Sequence, residues 1–382
     1  MFNTLEILER LVAIPTVSAD SNLEMIAFIR EYLAKRGFEL HQIDDLTGQK
    51  AGLFATLGPA GPGGVLLSAH TDVVPVTGQN WTKPPFKLTH GGDRVFGRGT
   101  TDMKGFLACM LSAADSASKV NLTQPFKLSL SYDEEIGCVG IAHMIGHLER
   151  CVGLPEMAIV GEPTSMQVAI GHKGKGAVRA ICHGHSGHSA LAPQFLNALN
   201  LAADFVRELR TLQKELKESG AQDTAYGVPY STVHVGKLSG GVALNIVPDR
   251  ADIDLEYRHL AGDRSEDLLA RIKQAAERAM NAHRAQFPDA LIETEPYNYY
   301  PGLNIAADAP VVQKVQNLVQ CDHTTKVAFG TEAGFFDALG IPTVVCGPGS
   351  MEGQGHKPDE FITLDQLHDC DRMMDRLMLS LV

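Results

Sequence analysis

The chain of 382 residues is 44% hydrophobic and 20% charged, with 33 basic against 45 acidic side chains and a net charge of −12. That is ordinary globular composition, long enough for two domains, and its sign argues against a nucleic-acid partner or an anionic membrane surface. No apolar run approaches the ~20 residues of a membrane span, and the seven cysteines contain no CxxC pair, a pattern of buried thiols in a reducing compartment, the cytoplasm.

The opening stretch MFNTLEILERLVAIP has the spacing of an amphipathic helix that carries acids and Arg10, unlike a secretory signal. Helical spacing covers Leu5–Val12 and Leu23–Arg36, an apolar strand follows at Val65–Ala69, and a helix at Gly105–Ala117. Leu128–Ser131 and Met157–Val160 read as further strands. The same alternation returns near the end, with helix Pro310–Val319, strand Thr343–Cys346 and helix Leu364–Leu381. Strands separated by helices predict an α/β domain built on a mostly parallel sheet, formed by residues 1–175 and 296–382.

The middle reads differently. GAVRAICHG is a strand, Asn197–Lys217 a helix, and STVHVGKL and ADIDLEYRHL alternate as strands. Asp263 and Glu266 have the spacing of a capping box opening a helix over Leu268–Arg284, and LIETEPY closes the segment. The order βαββαβ predicts an inserted α+β domain over 176–295.

Strand ends in the outer domain carry metal-ligand residue types. GGVLLSAHTD ends at His70 and Asp72, LSLSYDEE at Glu134 and Glu135, EMAIVGE at Glu162, and TVVCG runs on to His356. Asp102, in GRGTTDMKG, sits just before a helix. Ligands of open α/β sheets gather outside the carboxyl ends of strands, so His70, Asp102, Glu135, Glu162 and His356 are expected to converge. Two histidines and three carboxylates exceed the three protein ligands of one catalytic zinc and suit two divalent ions sharing a carboxylate. Of two adjacent glutamates, one then binds an ion while its neighbour acts as base. Asp72 is either an ordinary turn residue or the group that orients His70.

At these positions the chain resembles the co-catalytic zinc amidohydrolases and exopeptidases. The likeness rests on SAHTDVVP, GRGTTDMKGFLA, SYDEEIGCVG, IVGEPTS, GHSGHSA and GPGSMEGQGHKPDE, in the family's order and over nearly the whole chain. Within the group, FGTEAGFF (329–336) and GPGS…GHKPDEFI are nearest to members that deacetylate a diamino acid. The desuccinylases usually carry GTSDGRF-like text instead. The resemblance implies a metal-binding domain with an inserted lid that forms a homodimer contact. It implies that His70, Asp102 and Glu162 hold one ion, and that bridging Asp102 with Glu135 and His356 holds the other. Zinc is the first expectation, and cobalt or manganese suit the same ligands. It further implies that Glu134 is the general base, that Asp72 supports His70, and that His188 reaches a partner subunit's active site as a hydrogen-bond donor.

Substrate contacts are expected from Asn245 and Arg258 in the inserted segment. Arg258 is suited to a substrate α-carboxylate, with a surface ion pair as the alternative. Glu332 would face a cationic side-chain amine, or else would stabilise the start of the next helix. Gly330, Gly347 and Gly349 read as turn residues. A desuccinylase or a broader N-acyl-amino-acid hydrolase is the near rival, to be separated by substrate panels. A non-catalytic binder on the same fold is the distant one, to be separated by metal-dependent hydrolysis.

Overall fold

A computed structural model describes residues 3–382; Met1 and Phe2, at the head of the expected first helix, lie outside the described residues. Along the chain run α1 (Thr4–Ala13), α2 (Leu23–Ala34), β1 (Glu39–Asp44), β2 (Ala51–Leu57), β3 (Val65–His70), β4 (Thr89–Gly91), β5 (Arg94–Phe96), α3 (Lys104–Ala117), β6 (Phe126–Ser131), α4 (Val139–Met144), α5 (Leu148–Val152), β7 (Met157–Val160) and β8 (Val168–His172). Then come β9 (Gly174–His183), β10 (Gly187–His188), α6 (Ala198–Ser219), β11 (Thr232–Gly240), β12 (Ile246–Val247), β13 (Arg250–His259), α7 (Ser265–Asn281) and β14 (Leu291–Tyr300). The chain closes with β15 (Leu303–Asn304), α8 (Pro310–Val319), β16 (Thr324–Val327), α9 (Ala333–Ala338), β17 (Thr343–Val345), β18 (Phe361–Thr363) and α10 (Leu364–Leu379).

The chain divides into two compact units: residues up to Gly171 together with Leu303–Val382, and His172–Gly302. In the first, the main sheet runs β1-β2-β6-β3-β7-β17-β8-β15, with β16 also paired to β8. Its centre is parallel (β6 with β3, β3 with β7, β7 with β17), while β1, β2 and β8 join antiparallel. Strands β3, β6 and β7 are buried at every residue, as strands covered on both faces must be, which is why they read as apolar runs without alternation. Register then positions the site. His70 pairs with Ser131, and Ser68 pairs with Val160, so the residues just past these three strands leave the sheet at one edge.

Local chemistry fixes the helices around it. Asn3 and Glu6 form a reciprocal capping box on α1, Thr363 and Gln366 one on α10, and α8 begins with a proline in its first turn. Buried Lys104, at the start of α3, donates from Nζ to the carbonyls of Leu11 and Ile14 and so caps the end of α1. Burial brings the Lys104 ammonium down to about 7. All seven cysteines are free thiols, and five are buried.

In the second unit an antiparallel sheet, β11-β13-β9-β14, packs one face on α6 and α7 around Phe205, Leu209, Ile253 and Ile272. The long elements follow the βαββαβ order. Strand β13 alternates buried and half-buried residues, the signature of a sheet covered on one side only. The capping box expected at Asp263 and Glu266 is not formed. The helix starts at Ser265 after Arg264, without a side-chain cap, because the Asp263 carboxylate takes the Ser231 hydroxyl instead.

Candidate metal centre

The site grows from the exits of β3, β6 and β7. Past β3 the backbone carbonyl of Asp72 lies 3.0 Å from His70 Nδ1, so in the neutral ring Nδ1 carries the proton and Nε2 the lone pair. That lone pair faces acids: Asp102 Oδ1 at 3.1 Å and Glu162 Oε1 at 3.8 Å. Past β6 the chain turns at Asp133, whose φ of 53° is in the left-handed region. Asp133 is held there by buried Lys50 and by the amide of Ala19. This third acid of the DEE run is therefore an anchor for the turn that presents the other two.

Asp72 organises that turn as well. Its Oδ1 accepts the amide of Glu134 at 3.0 Å, its Oδ2 the amide of Glu135 at 3.3 Å, and Ser18 donates to Oδ2 at 2.6 Å. One carboxylate thus ties the histidine-bearing strand end to the paired glutamates, a link that sequence offered only as support for His70. Glu135 points to His356, whose Nε2 is 3.0 Å from Glu135 Oε2 and 3.1 Å from Asp102 Oδ2. Glu134 points elsewhere, and among the described residues its Oε1 accepts a single weak bond, from Cys138 Sγ at 3.3 Å. Gly347, just past β17, must be glycine because a Cβ there would fall 2.1 Å from the Gly161 carbonyl, beside Glu162.

Two groups of potential ligands result: His70, Asp102 and Glu162, and Asp102, Glu135 and His356, each with donor atoms within 4.8 Å of one another. Asp102 belongs to both and offers one oxygen to each histidine. Burial pushes Glu134 and Glu162 well above the ordinary carboxylate range, and the Asp102 charge adds to the shift at Glu162. Burial and the same charge raise Glu135 to about 7. His356, bonded to Asp102 and Glu135, rises to about 10. At His70 burial works the other way, but Asp102 and Asp72 outweigh it and hold the imidazolium well above its usual range.

The donor set fits a pair of cations on three grounds. Glu162 Oε1 is buried with no hydrogen-bond partner among the described residues, an atom that ordinarily would be satisfied. His70 Nε2 is aimed at carboxylates, an arrangement that needs positive charge between them, supplied by a proton in the ion-free site and replaceable by a cation bound to the neutral ring. Three carboxylates and two imidazoles, one carboxylate shared, are the ligand types of a dinuclear divalent site.

The remaining candidates are placed as follows. Glu332 precedes α9 without capping it. It is 1% exposed, takes a 3.3 Å bond from Ser68 Oγ, and leaves its Oε1 unpartnered among the described residues. Burial raises it to about 7. In the second unit Arg258, half-buried on β13, bonds Glu256 through Nε at 3.1 Å and the Tyr300 hydroxyl at 2.5 Å. Asn245 is exposed, and its carbonyl accepts the Ser189 amide. His188 is exposed on β10, and its Nδ1 accepts the Ala190 amide at 3.0 Å. His183 and His185 are paired with Glu293 and Asp289, which leaves His188 as the histidine of CHGHSGHSA without an acidic partner in the ion pairs of the described residues.

Comparison with known proteins shows the family. The model of the peptidase family M20/M25/M40 matches residues 66–380. The chain belongs to that family. It is 33% identical over 384 residues to an acetylornithine deacetylase of Photorhabdus laumondii, covering 98% of this chain and 96% of that one. It is 34% identical over 366 residues to one from Klebsiella pneumoniae, covering 94% and 92%. Among solved structures, the M20 metallo-carboxypeptidase Sso-CP2 of Sulfolobus solfataricus superposes with a TM-score of 0.80 at 20% identity, over 99% of both chains. The Bacillus subtilis protein YxeP, described as a dinuclear metal-binding peptidase of the family, gives 0.68 at 15% identity over 99% and 97%. These two share the fold, a catalytic domain with an inserted domain. As an M20 member the chain is a metallohydrolase of the peptidase and amidohydrolase type. Among the described residues no helix is long and apolar enough to cross a membrane.

Proposed function

We propose that the chain acts as an acetylornithine deacetylase, hydrolysing N2-acetyl-L-ornithine to L-ornithine and acetate in the cytoplasm as a step of arginine biosynthesis. The observation that carries the reading is the pair of three-residue ligand groups sharing Asp102, with Glu134 beside them and bound to neither. The sequence likeness to acetylornithine deacetylases over almost the full length supports this substrate over others of the family.

In this reading His70, Asp102 and Glu162 hold one divalent ion, and Asp102, Glu135 and His356 the other, zinc first and cobalt or manganese as alternatives. Such ions supply Lewis acidity and make water acidic enough to lose a proton near neutral pH. Glu134 accepts that proton. The water oxygen bonds to the acetyl carbon, the C–N bond breaks, and Glu134 returns the proton to the departing amine. A carboxyl pushed upward by burial is suited to carry a proton through this sequence. Asp72 keeps Glu134 in place through its amide, and its carbonyl holds the proton of the neutral His70 ring on Nδ1, leaving Nε2 for the ion.

His188 is the donor to the developing oxyanion. Its Nδ1 accepts a backbone N–H, so the neutral ring carries its proton on Nε2, available for donation. A homodimer through the inserted unit would bring it to a partner's site. Edge strand β11 and exposed Leu238, Val242 and Leu244 support such a contact. Arg258 holds the substrate α-carboxylate with Asn245 nearby in sequence, and Glu332 receives the side-chain ammonium through Oε1, which has no hydrogen-bond partner among the described residues.

A panel of N-acyl amino acids, assayed before and after chelation and metal add-back, tests the reading. Metal-dependent turnover is expected to be fastest on N2-acetylornithine. Faster turnover of succinyl-diaminopimelate would reassign the substrate, and metal-independent or absent hydrolysis would remove the reading altogether.

A further inference from the structure

Behind the second ligand group lies a buried ion pair that the chemistry above does not use. Arg98 is fully buried and Glu360 is 1% exposed, and their NH1 and Oε2 atoms are 2.6 Å apart. A buried pair of this kind adds little net stability, since well-packed apolar side chains commonly do as well, so its use is sought in what else it touches.

Glu360 spends its second oxygen on the backbone of the bridging residue. Oε1 accepts the amide of Thr101 at 2.9 Å and the amide of Asp102 at 3.1 Å. Arg98 reaches the loop that carries His356 directly through NH1 and indirectly through Gln79, while NH2 also donates to the Pro75 carbonyl at 3.5 Å. NH1 donates to the carbonyl of Lys357 at 3.4 Å, and NH2 donates to Gln79 Oε1 at 2.5 Å. Gln79 in turn donates from Nε2 to the carbonyl of His356 at 3.2 Å. The guanidinium also lies over Trp81, 4.9 Å from the ring centre, and Trp81 donates to the same Gln79 oxygen. His356 sits at a φ of 59°, in the left-handed region, so its placement relies on such outside ties.

We propose that Arg98, Glu360 and Gln79 form a positioning clamp for the second metal ion, fixing Asp102 and His356 relative to each other. The inference rests on the two-ion reading above. Its specific content is asymmetry. The clamp holds the backbones of two of the three ligands in the group Asp102, Glu135 and His356, but only one in the group His70, Asp102 and Glu162. Loss of the clamp therefore weakens the second ion far more than the first. In Glu360→Gln one oxygen can still accept the Thr101 and Asp102 amides, while the new amide group turns a donor toward Arg98 and the pair is broken.

The test is a Zn²⁺ titration of chelated full-length protein, followed by calorimetry and by metal content after dialysis, with folding checked by circular dichroism. Wild type is expected to bind two ions. Glu360→Gln is expected to keep the first and hold the second about 10–100-fold more weakly, the range typical for residues that orient ligands. Activity lost at low free metal should return as free Zn²⁺ is raised, which a merely structural defect would not show. If Glu360→Gln does not fold, Gln79→Leu leaves the Arg98–Glu360 pair intact and removes the tie to His356 together with the bonds that Arg98 NH2 and Trp81 make to Gln79. A smaller loss confined to the second ion is expected there. Two ions at wild-type affinity in folded variants, or equal weakening of both, overturns the clamp. A wild type that binds fewer than two ions overturns instead the reading on which the clamp rests.

Discussion

In the larger unit, β3 and β6 are buried along their whole length, and every charged group they deliver arrives where water is already scarce. His70, Asp72, Asp102 and Glu162 are each at most 6% exposed and lie within bonding distance of one another or of the same neighbours. In the smaller unit β13 alternates, and its polar face is only half-covered. Arg258 meets Glu256 and Tyr300 there, and His188 sits on an exposed ladder with one local backbone bond. The first arrangement leaves a cluster of acids that only added positive charge can settle. The second leaves side chains that can re-aim at modest cost. Substitutions at the clustered ligands of the first unit should therefore change how much metal the protein holds, and those in the second should change turnover or substrate affinity while metal content stays constant.

The largest effect expected is from Asp102→Asn. It serves both ligand groups, so both ions and all turnover should be lost, as metal analysis and a rate assay would show. Chelation of wild type should do the same reversibly. With free metal a thousandfold above Kd, linkage adds about 4 kcal/mol to folding, seen as a higher Tm than in the chelated protein. Next is Glu134→Gln, which should keep both ions and lose roughly 10²–10⁴ in kcat. Loss of metal there would blur the line between the ligands and the base.

His188→Ala should lose on the order of 10²–10³ in kcat with metal content unchanged. If the imidazole acts across a dimer, mixing this variant with Glu134→Gln should restore part of the rate. No recovery, with subunit exchange verified, would place His188 outside the chemistry. Arg258→Met should act mainly on KM, by roughly tenfold or more, as expected for one charge-assisted bond of ~1.5–3 kcal/mol.

The smallest effect is a control within the larger unit but away from the acids. At Asp115 burial raises the carboxyl, but hydrogen bonds from Lys119 and Arg36 outweigh it and hold the group below its usual 3.8. A depressed carboxylate stabilises the fold above its unfolded pKa and loses that contribution as pH falls through the folded value. Asp115→Asn should thus cost on the order of 1 kcal/mol near pH 7. The gap to wild type in a denaturation series should close in acid, with metal binding untouched.

The metal-ligand types were legible because parallel strands end together. Given a sheet, His70, Glu135 and Glu162 had to leave it at one edge, and register with Ser131 and Val160 makes that concrete. The antiparallel flank was less legible. β1, with the sequence ELHQID, is a mostly half-exposed edge strand with no strong apolar pattern. Asp133 could not be told from its two neighbours, because its role depends on Lys50, far away in sequence. The grip of Asp72 on the amides of Glu134 and Glu135 was hidden for the same reason, since a carboxylate's backbone partners leave no trace in spacing. Asp263 shows the converse failure. Its local pattern fitted a helix cap, and a tertiary bond from Ser231 took the carboxylate instead.

The central claim is that five side chains hold two cations while Glu134 stays unligated beside them. Anomalous diffraction at the zinc edge from crystals of the wild-type protein grown with Zn²⁺ tests it most directly. The account predicts two peaks about 3.5–4 Å apart, one bounded by His70, Asp102 and Glu162 and the other by Asp102, Glu135 and His356. A single peak, peaks elsewhere, or zinc bound directly by Glu134 would contradict it.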